Sequence, residues 1–163
     1  MRKLKNLSKN EQAEILEVFP GVLNVICDIE PYSYNQTSVS IFDHWLSEEE
    51  AIKLLVNVPS EEQHRRDDAF KRFNYFLVES TECYKFTLKG MRKERIQLKR
   101  FTSKESALDC INPDTWPFFW VIIPEYKVVY GQGYDDTAYF WHISDTIPKP
   151  LEALVNKRGL HVL

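Results

Sequence analysis

The sequence predicts an α+β fold: a five- to seven-stranded, mostly antiparallel sheet with helices packed on one face. Three observations carry that expectation. Residues 116–143 hold ten of the chain's twenty-two aromatic side chains, in short alternating or continuous apolar runs separated by turn residues, as in an antiparallel meander. Residues 85–99 carry two alternating runs on either side of Gly90, the pattern of a hairpin. Stripes at helical spacing fill much of the remainder without alternating regularly with strands, which argues against a doubly wound parallel sheet.

In chain order, Ser8 and Glu11 form a capping-box pattern, and Ile15, Leu16, Val18 and Phe19 follow on one side of a helix that Pro20-Gly21 stops. Leu23, Val25, Cys27 and Ile29 alternate with polar neighbours and predict a first strand; Val39, Ile41 and Asp43, alternating with Ser40, Phe42 and His44, predict a second after a loop over 30–35. Ser47 and Glu50 repeat the capping box, with acids at the positive end of a helix striped by Ala51, Leu54, Leu55 and Val58. Pro59-Ser60 restarts helical periodicity to about Glu79, with Phe70, Phe73, Phe76 and Leu77 inward; the polar segment His64 to Asp68 leaves open whether 61–79 is one helix or two. In the hairpin, Phe86, Leu88, Ile96 and Leu98 share one face. Ser103 caps a short helix to about Ile111, the meander follows, and a last helix spans Pro148 to Arg158 with Gly159 at its stop.

A chain of 163 residues with 44% hydrophobic and 28% charged content fits one globular domain over 1–163, long enough to bury a core without staples. Three scattered cysteines make no disulfide framework and suit a reducing, cytoplasmic setting. The basic start is followed by no apolar stretch that would make it a secretory signal, and the longest apolar run, Phe118 to Ile123, is too short to cross a membrane. A net charge of -3 excludes a chain built as a whole to coat nucleic acid or an anionic membrane.

Catalytic candidates are few. Asp135 and Asp136, in the segment Gly131-Gln-Gly-Tyr-Asp-Asp136, would serve as an acid pair, although glycine and aspartate are also what a hairpin turn demands. His142 stands three residues before Asp145 and would pair with it as a general base; a satisfied structural histidine is the blander reading. Together they define the alternative function, a small hydrolase with an Asp/His site walled by Tyr130 and Tyr139. Asp43-His44 looks like a dyad, but neighbours on a strand point to opposite faces. No nucleophile elbow, phosphate-binding loop or metal-ligand spacing occurs, so no cofactor and no metal is expected.

Charge is more informative. Between Lys85 and Arg100 seven basic residues (Lys85, Lys89, Arg92, Lys93, Arg95, Lys99 and Arg100) meet one acid, Glu94. Lys85, Lys89, Arg95 and Lys99 fall on the hairpin face opposite the apolar set, where like charges repel. An edge hairpin charged against aggregation is the bland explanation; an acidic partner is the functional one. With helices on one face only, the sheet would also expose rings, which makes Tyr126, Tyr130, Tyr134 and Tyr139 candidates for partner contact or dimerisation. The leading expectation is therefore a non-catalytic protein-binding module, such as a bacterial inhibitor, immunity protein or regulatory partner, that takes an acidic protein surface. Nucleic-acid binding through the hairpin ranks below the hydrolase, because stacking rings are not interleaved with the cations.

Overall fold

The computed structural model describes residues 3–27, 33–90, 95–110, 119–133 and 136–163. The fold is α+β, with eight antiparallel strands in a single sheet and six helices among these residues. The strands are β1 (Leu4–Asn6), β2 (Asn35–Ser40), β3 (Tyr84–Lys89), β4 (Arg95–Phe101), β5 (Trp120–Ile123), β6 (Val128–Gln132), β7 (Thr137–His142) and β8 (His161–Val162), in the order β1-β4-β3-β5-β6-β7-β2-β8. The helices are α1 (Lys9–Glu17), α2 (Val22–Ile26), α3 (Glu48–Leu55), α4 (Ser60–Ser80), α5 (Lys104–Leu108) and α6 (Lys149–Lys157). No helix among the described residues is long and apolar enough to cross a membrane.

The meander β5-β6-β7 lies at the centre of the sheet, as its apolar runs predict. Both capping boxes form: the Ser8 and Ser47 hydroxyls accept from the backbone of Glu11 and Glu50, whose carboxylates reach back to the cap residues. Such a cap is worth about 0.5–2 kcal/mol, enough to set where a short helix begins. α4 is one continuous helix.

Side chains alternate between the two faces, and both faces are covered. On the first, Val121, Ile123, Val128, Tyr130, Ala138 and Phe140 meet Phe70, Phe73 and Leu77 of α4 and Leu151 and Val155 of α6. On the second, Leu98, Ile122, Val129 and Trp141 meet Phe19, Val22 and Val25, with Ile15 and Leu16 of α1 packed alongside. Helices on one face alone are therefore corrected to helices on both.

The cause is the segment around Leu23. It forms α2 and not a strand. Gly21, at φ 71°, turns the chain left-handed before it, and Phe19, Val22 and Val25 recur at a spacing of three to place one apolar line against the sheet. Burying each contributes about 1.5–3 kcal/mol, and a period-2 arrangement would turn Val22 away from Phe19 and Val25 and forfeit its share. The second strand is also shifted: β2 ends at Ser40, and the chain bends through 41–44. The sheet reaches eight strands because β1 and β8, three and two residues long, add to its edges.

Gly131 belongs to β6, not to the following turn. It sits opposite Trp120, whose indole lies over it, and an added Cβ would stand 2.4 Å from that ring. The space lets Trp120 stack on Trp141 at 4.8 Å between centroids.

Candidate functional site

The β3–β4 hairpin forms, with Lys85, Lys89, Arg95 and Lys99 on the face opposite its apolar residues, as expected. Lys85 pairs with Lys99 and Lys89 with Arg95, while Thr87 pairs with Gln97 between them. These six residues share the face that carries Val121, since Lys85 also pairs with Val121 on β5. Lys89 and Arg95 are exposed, and Lys85 and Lys99 half-buried. No carboxylate lies within salt-bridge distance of any of the four among the described residues. Arg92 and Lys93 lie outside the described residues.

The outer edge of this ribbon has its own geometry. β1 pairs with β4 as far as Asn6, and Leu7 N then donates to Leu98 O. Beyond that point the side chain of Gln12 takes over: its Nε2 donates to Ile96 O at 3.0 Å and its Oε1 accepts from Leu98 N at 2.8 Å. Next to this bridge a surface cleft of about 550 Å³ opens between Lys9, Gln12, Lys89, Arg95 and Gln97. Three cations around such an opening suit carboxylates.

The hydrolase candidates do not converge. Asp136 and His142 stand at opposite ends of β7, six residues apart, or about 20 Å at strand rise. Asp136 is bound in the structure's main ion-pair hub. Its Oδ2 accepts from Arg66 Nη1 at 2.8 Å and its Oδ1 from Gln63 Nε2 at 3.0 Å. Arg66, 3% exposed, also binds Glu62 and the Leu54 carbonyl, and its guanidinium lies 5.3 Å from the Phe42 ring centre. Burial alone would lower the Arg66 pKa; its bonds to Glu62 and Asp136 outweigh that and raise it. The Glu62 carboxyl falls to about 2 through its bonds to Arg65 and Arg66.

His142 is buried with both ring nitrogens engaged: Nδ1 donates to Ser144 O and Nε2 pairs with Thr37 Oγ1, each at 2.8 Å. Asp145 is exposed and does not pair with it. Asp135 and Tyr134 lie outside the described residues. Among the described residues no cluster of three His, Cys, Asp or Glu side chains could hold a metal. Burial pushes the Cys83 thiol up to about 11, which keeps it from acting as a thiolate.

The tyrosines divide. Tyr130 is fully buried in the first core, with its hydroxyl donating to Asn74 Oδ1 at 2.6 Å, so its place among contact residues is corrected. Burial raises its pKa. Tyr139 is half-buried on the second face against Trp141, at 5.6 Å, and Tyr126 is half-buried at the end of a 3-10 turn, Pro124–Tyr126. Among the described residues of the meander, the rings are taken up by two covered faces.

Asp43 and His44 do pair, against the strand geometry expected for them. Because β2 stops at Ser40, the bend lets His44 Nδ1 reach Asp43 Oδ1 at 2.7 Å while Nε2 reaches Glu50 Oε1 at 3.2 Å. A ring with acceptors on both nitrogens is satisfied as imidazolium. The hydrogen bond to Asp43, then that to Glu50, raises the His44 pKa. Glu50 falls to about 2, first through the Ser47 backbone N–H, then the Ser47 hydroxyl and His44.

Sequence reasoning missed Arg66 and Asn74. Both sit on the inward stripe of α4 with Phe70, Phe73 and Leu77, at spacings of three and four, so their burial follows from the same periodicity. No family model, no curated protein and no solved structure matches the chain.

Proposed function

We propose that this chain is a non-catalytic protein-binding module, of the inhibitor, immunity or regulatory-partner kind, whose β3–β4 ribbon takes an acidic protein surface. Within this one hairpin the two faces treat positive charge oppositely. Arg100, on the second face, lies 3.6 Å from Glu11 and 3.8 Å from Glu82, and its guanidinium is 5.7 Å from the Tyr84 ring centre. Lys85, Lys99, Lys89 and Arg95, on the first face, are set directly across from one another with no carboxylate beside them among the described residues. Like charges so placed cost about 0.2–1 kcal/mol per pair, which an acidic partner would convert into attraction.

Edge protection alone does not require this arrangement, because β1 and the Gln12 amide already occupy the outer edge of β4. A nucleic-acid ligand is less well served. The residues between the cations are Thr87 and Gln97, and the Tyr84 and Phe86 rings point to the other face, leaving no stacking platform among the described residues of the ribbon.

The immobilised chain is expected to retain a polyglutamate peptide, more weakly as salt rises. The triple variant Lys89→Glu/Arg95→Glu/Lys99→Glu should lose that retention. Equal retention by the variant removes the ribbon from the proposal, and stronger retention of a single-stranded oligonucleotide of equal charge transfers the ribbon to nucleic acid.

A further inference from the structure

Four of the six exposed large hydrophobic side chains among the described residues come from one short stretch: Trp45 (65% exposed), Ile52 (59%), Val56 (54%) and Leu54 (36%). α3 lies within it and buries none of its eight residues. A helix so short does not persist in water through its own hydrogen bonds. Polar attachments hold it instead: the Ser47–Glu50 box at its start, and the Leu54 carbonyl near its end, which accepts from Arg66 Nη1. α3 is thus presented, not packed.

The outward face has a definite chemistry. Glu48, Ile52 and Val56 are spaced by four, with Glu49 beside them, Asp43 and Trp45 just before the helix and Lys53 the one cation on α3. Glu48 and Glu49 form no ion pair among the described residues. Behind Trp45 a cleft of about 160 Å³ opens between Phe42, Trp45, Ala51, Leu55 and Leu163, with Ser40, His44 and Thr137 as its polar lining, room for one aliphatic side chain. An exposed tryptophan beside a mostly apolar cleft, with the unpaired acids Glu48 and Glu49 on the same face, is how a partner's anchor residue is received.

We infer that this face docks a cationic, amphipathic segment of a second protein, with an aliphatic anchor in the cleft and lysine or arginine against Glu48 and Glu49. A second copy is the poorer occupant. Two-fold pairing through this face would set Glu48 and Glu49 against themselves, and the other copy's basic ribbon brings Thr87 and Gln97 where apolar groups are needed. The surface is separate from the ribbon. The α3 cleft adjoins β2 through Ser40, and β2 is four strands from β3, about 19 Å across the sheet, so both surfaces are open to partners at once.

The test uses a synthetic amphipathic leucine–lysine peptide of about 15 residues, and its leucine–glutamate counterpart, titrated into the full chain by calorimetry. The lysine peptide should saturate at one per chain, and any binding of the glutamate peptide should belong to the ribbon and vanish in Lys89→Glu/Arg95→Glu. Ile52→Glu should weaken binding at least about tenfold, although the added negative charge would strengthen any purely electrostatic adsorption. Lys89→Glu/Arg95→Glu should not weaken it, so loss of the ribbon proposal and loss of this one read out separately. The inference is overturned by no saturation up to about 1 mM peptide, by affinity undiminished in Ile52→Glu, or by sedimentation of a wild-type dimer that Ile52→Glu dissolves. Ile52 is exposed, and an unchanged far-ultraviolet dichroism spectrum verifies that the variant is folded.

Discussion

Arg66 and the Lys85–Lys99 ribbon are the two basic centres of this molecule, and they are handled in opposite ways. Arg66 is buried and spends its donors on Glu62, Asp136 and a carbonyl, tying α3, α4 and the start of β7 to one point. The ribbon cations are set against each other in register, without carboxylates among the described residues. A buried charge must be compensated within the chain, because nothing else can reach it. Exposed charges that repel are under no such constraint, and keeping them together is useful when compensation comes from outside.

Breaking the internal centre should have the largest effect. Arg66→Met leaves Asp136 nearly enclosed without its cation, and should cost about 3–5 kcal/mol in chemical denaturation. A loss below about 1 kcal/mol would mean that the hub is not structural and that its acids are free for other work. Gly131→Ala gives an uncharged yardstick. Its new methyl meets the Trp120 ring, and overpacking of that kind costs about 1–3 kcal/mol. If the variant is as stable as the parent, the indole does not press on the strand as described. At the ribbon the sign reverses: Lys99→Glu sets an acid opposite Lys85 and should stabilise the fold by about 0.2–1 kcal/mol at low salt, less at high salt. Destabilisation there would show that the cations are already neutralised within the chain.

The smallest effect is expected at His44. Its folded pKa lies above the ordinary 6.5, so its contribution is complete below 6.5 and fades as pH rises through the raised value. Glu50 and Glu62, both near 2, act in the opposite sense: their contributions are present above 4.5 and fade as pH falls toward 2. Thermal unfolding midpoints should therefore decline gently on the alkaline side, and His44→Gln should flatten that limb while leaving the acid limb, which Glu62 shares, in place. An unaltered alkaline limb would show that the imidazolium contributes nothing.

What was legible in the sequence was local. The capping boxes at Ser8 and Ser47 need only residues three apart, and the two faces of the hairpin follow from alternation along each strand; both formed as read. The segment after Gly21 was not legible in this way. Leu23, Val25 and Cys27 alternate like a strand while Phe19, Val22 and Val25 repeat like a helix, and only a bare sheet face elsewhere in the chain decides between them. Asn35 and Gln36 of β2 carry no strand signal of their own and are recruited by β7. The Asp43–His44 pair is not legible because alternation carries the second strand to His44, four residues beyond the end of β2 at Ser40. Arg66 was visible in principle, since a charge at the spacing of an inward stripe has to be answered by an opposite charge from afar. The ribbon was legible because alternation alone puts its cations on one side. The α3 face was not, because exposure of Ile52 and Val56 depends on what the rest of the chain leaves uncovered.

The Gln12 amide has a consequence for how these molecules behave in a crowd. A primary carboxamide offers the same donor and acceptor as a peptide group, so β4 meets what amounts to a counterfeit neighbour just where β1 gives out. Sheet growth from molecule to molecule is thereby halted along this border by one side chain. Losing it would unlock a seam through which copies could zip into fibres without any loss of native packing.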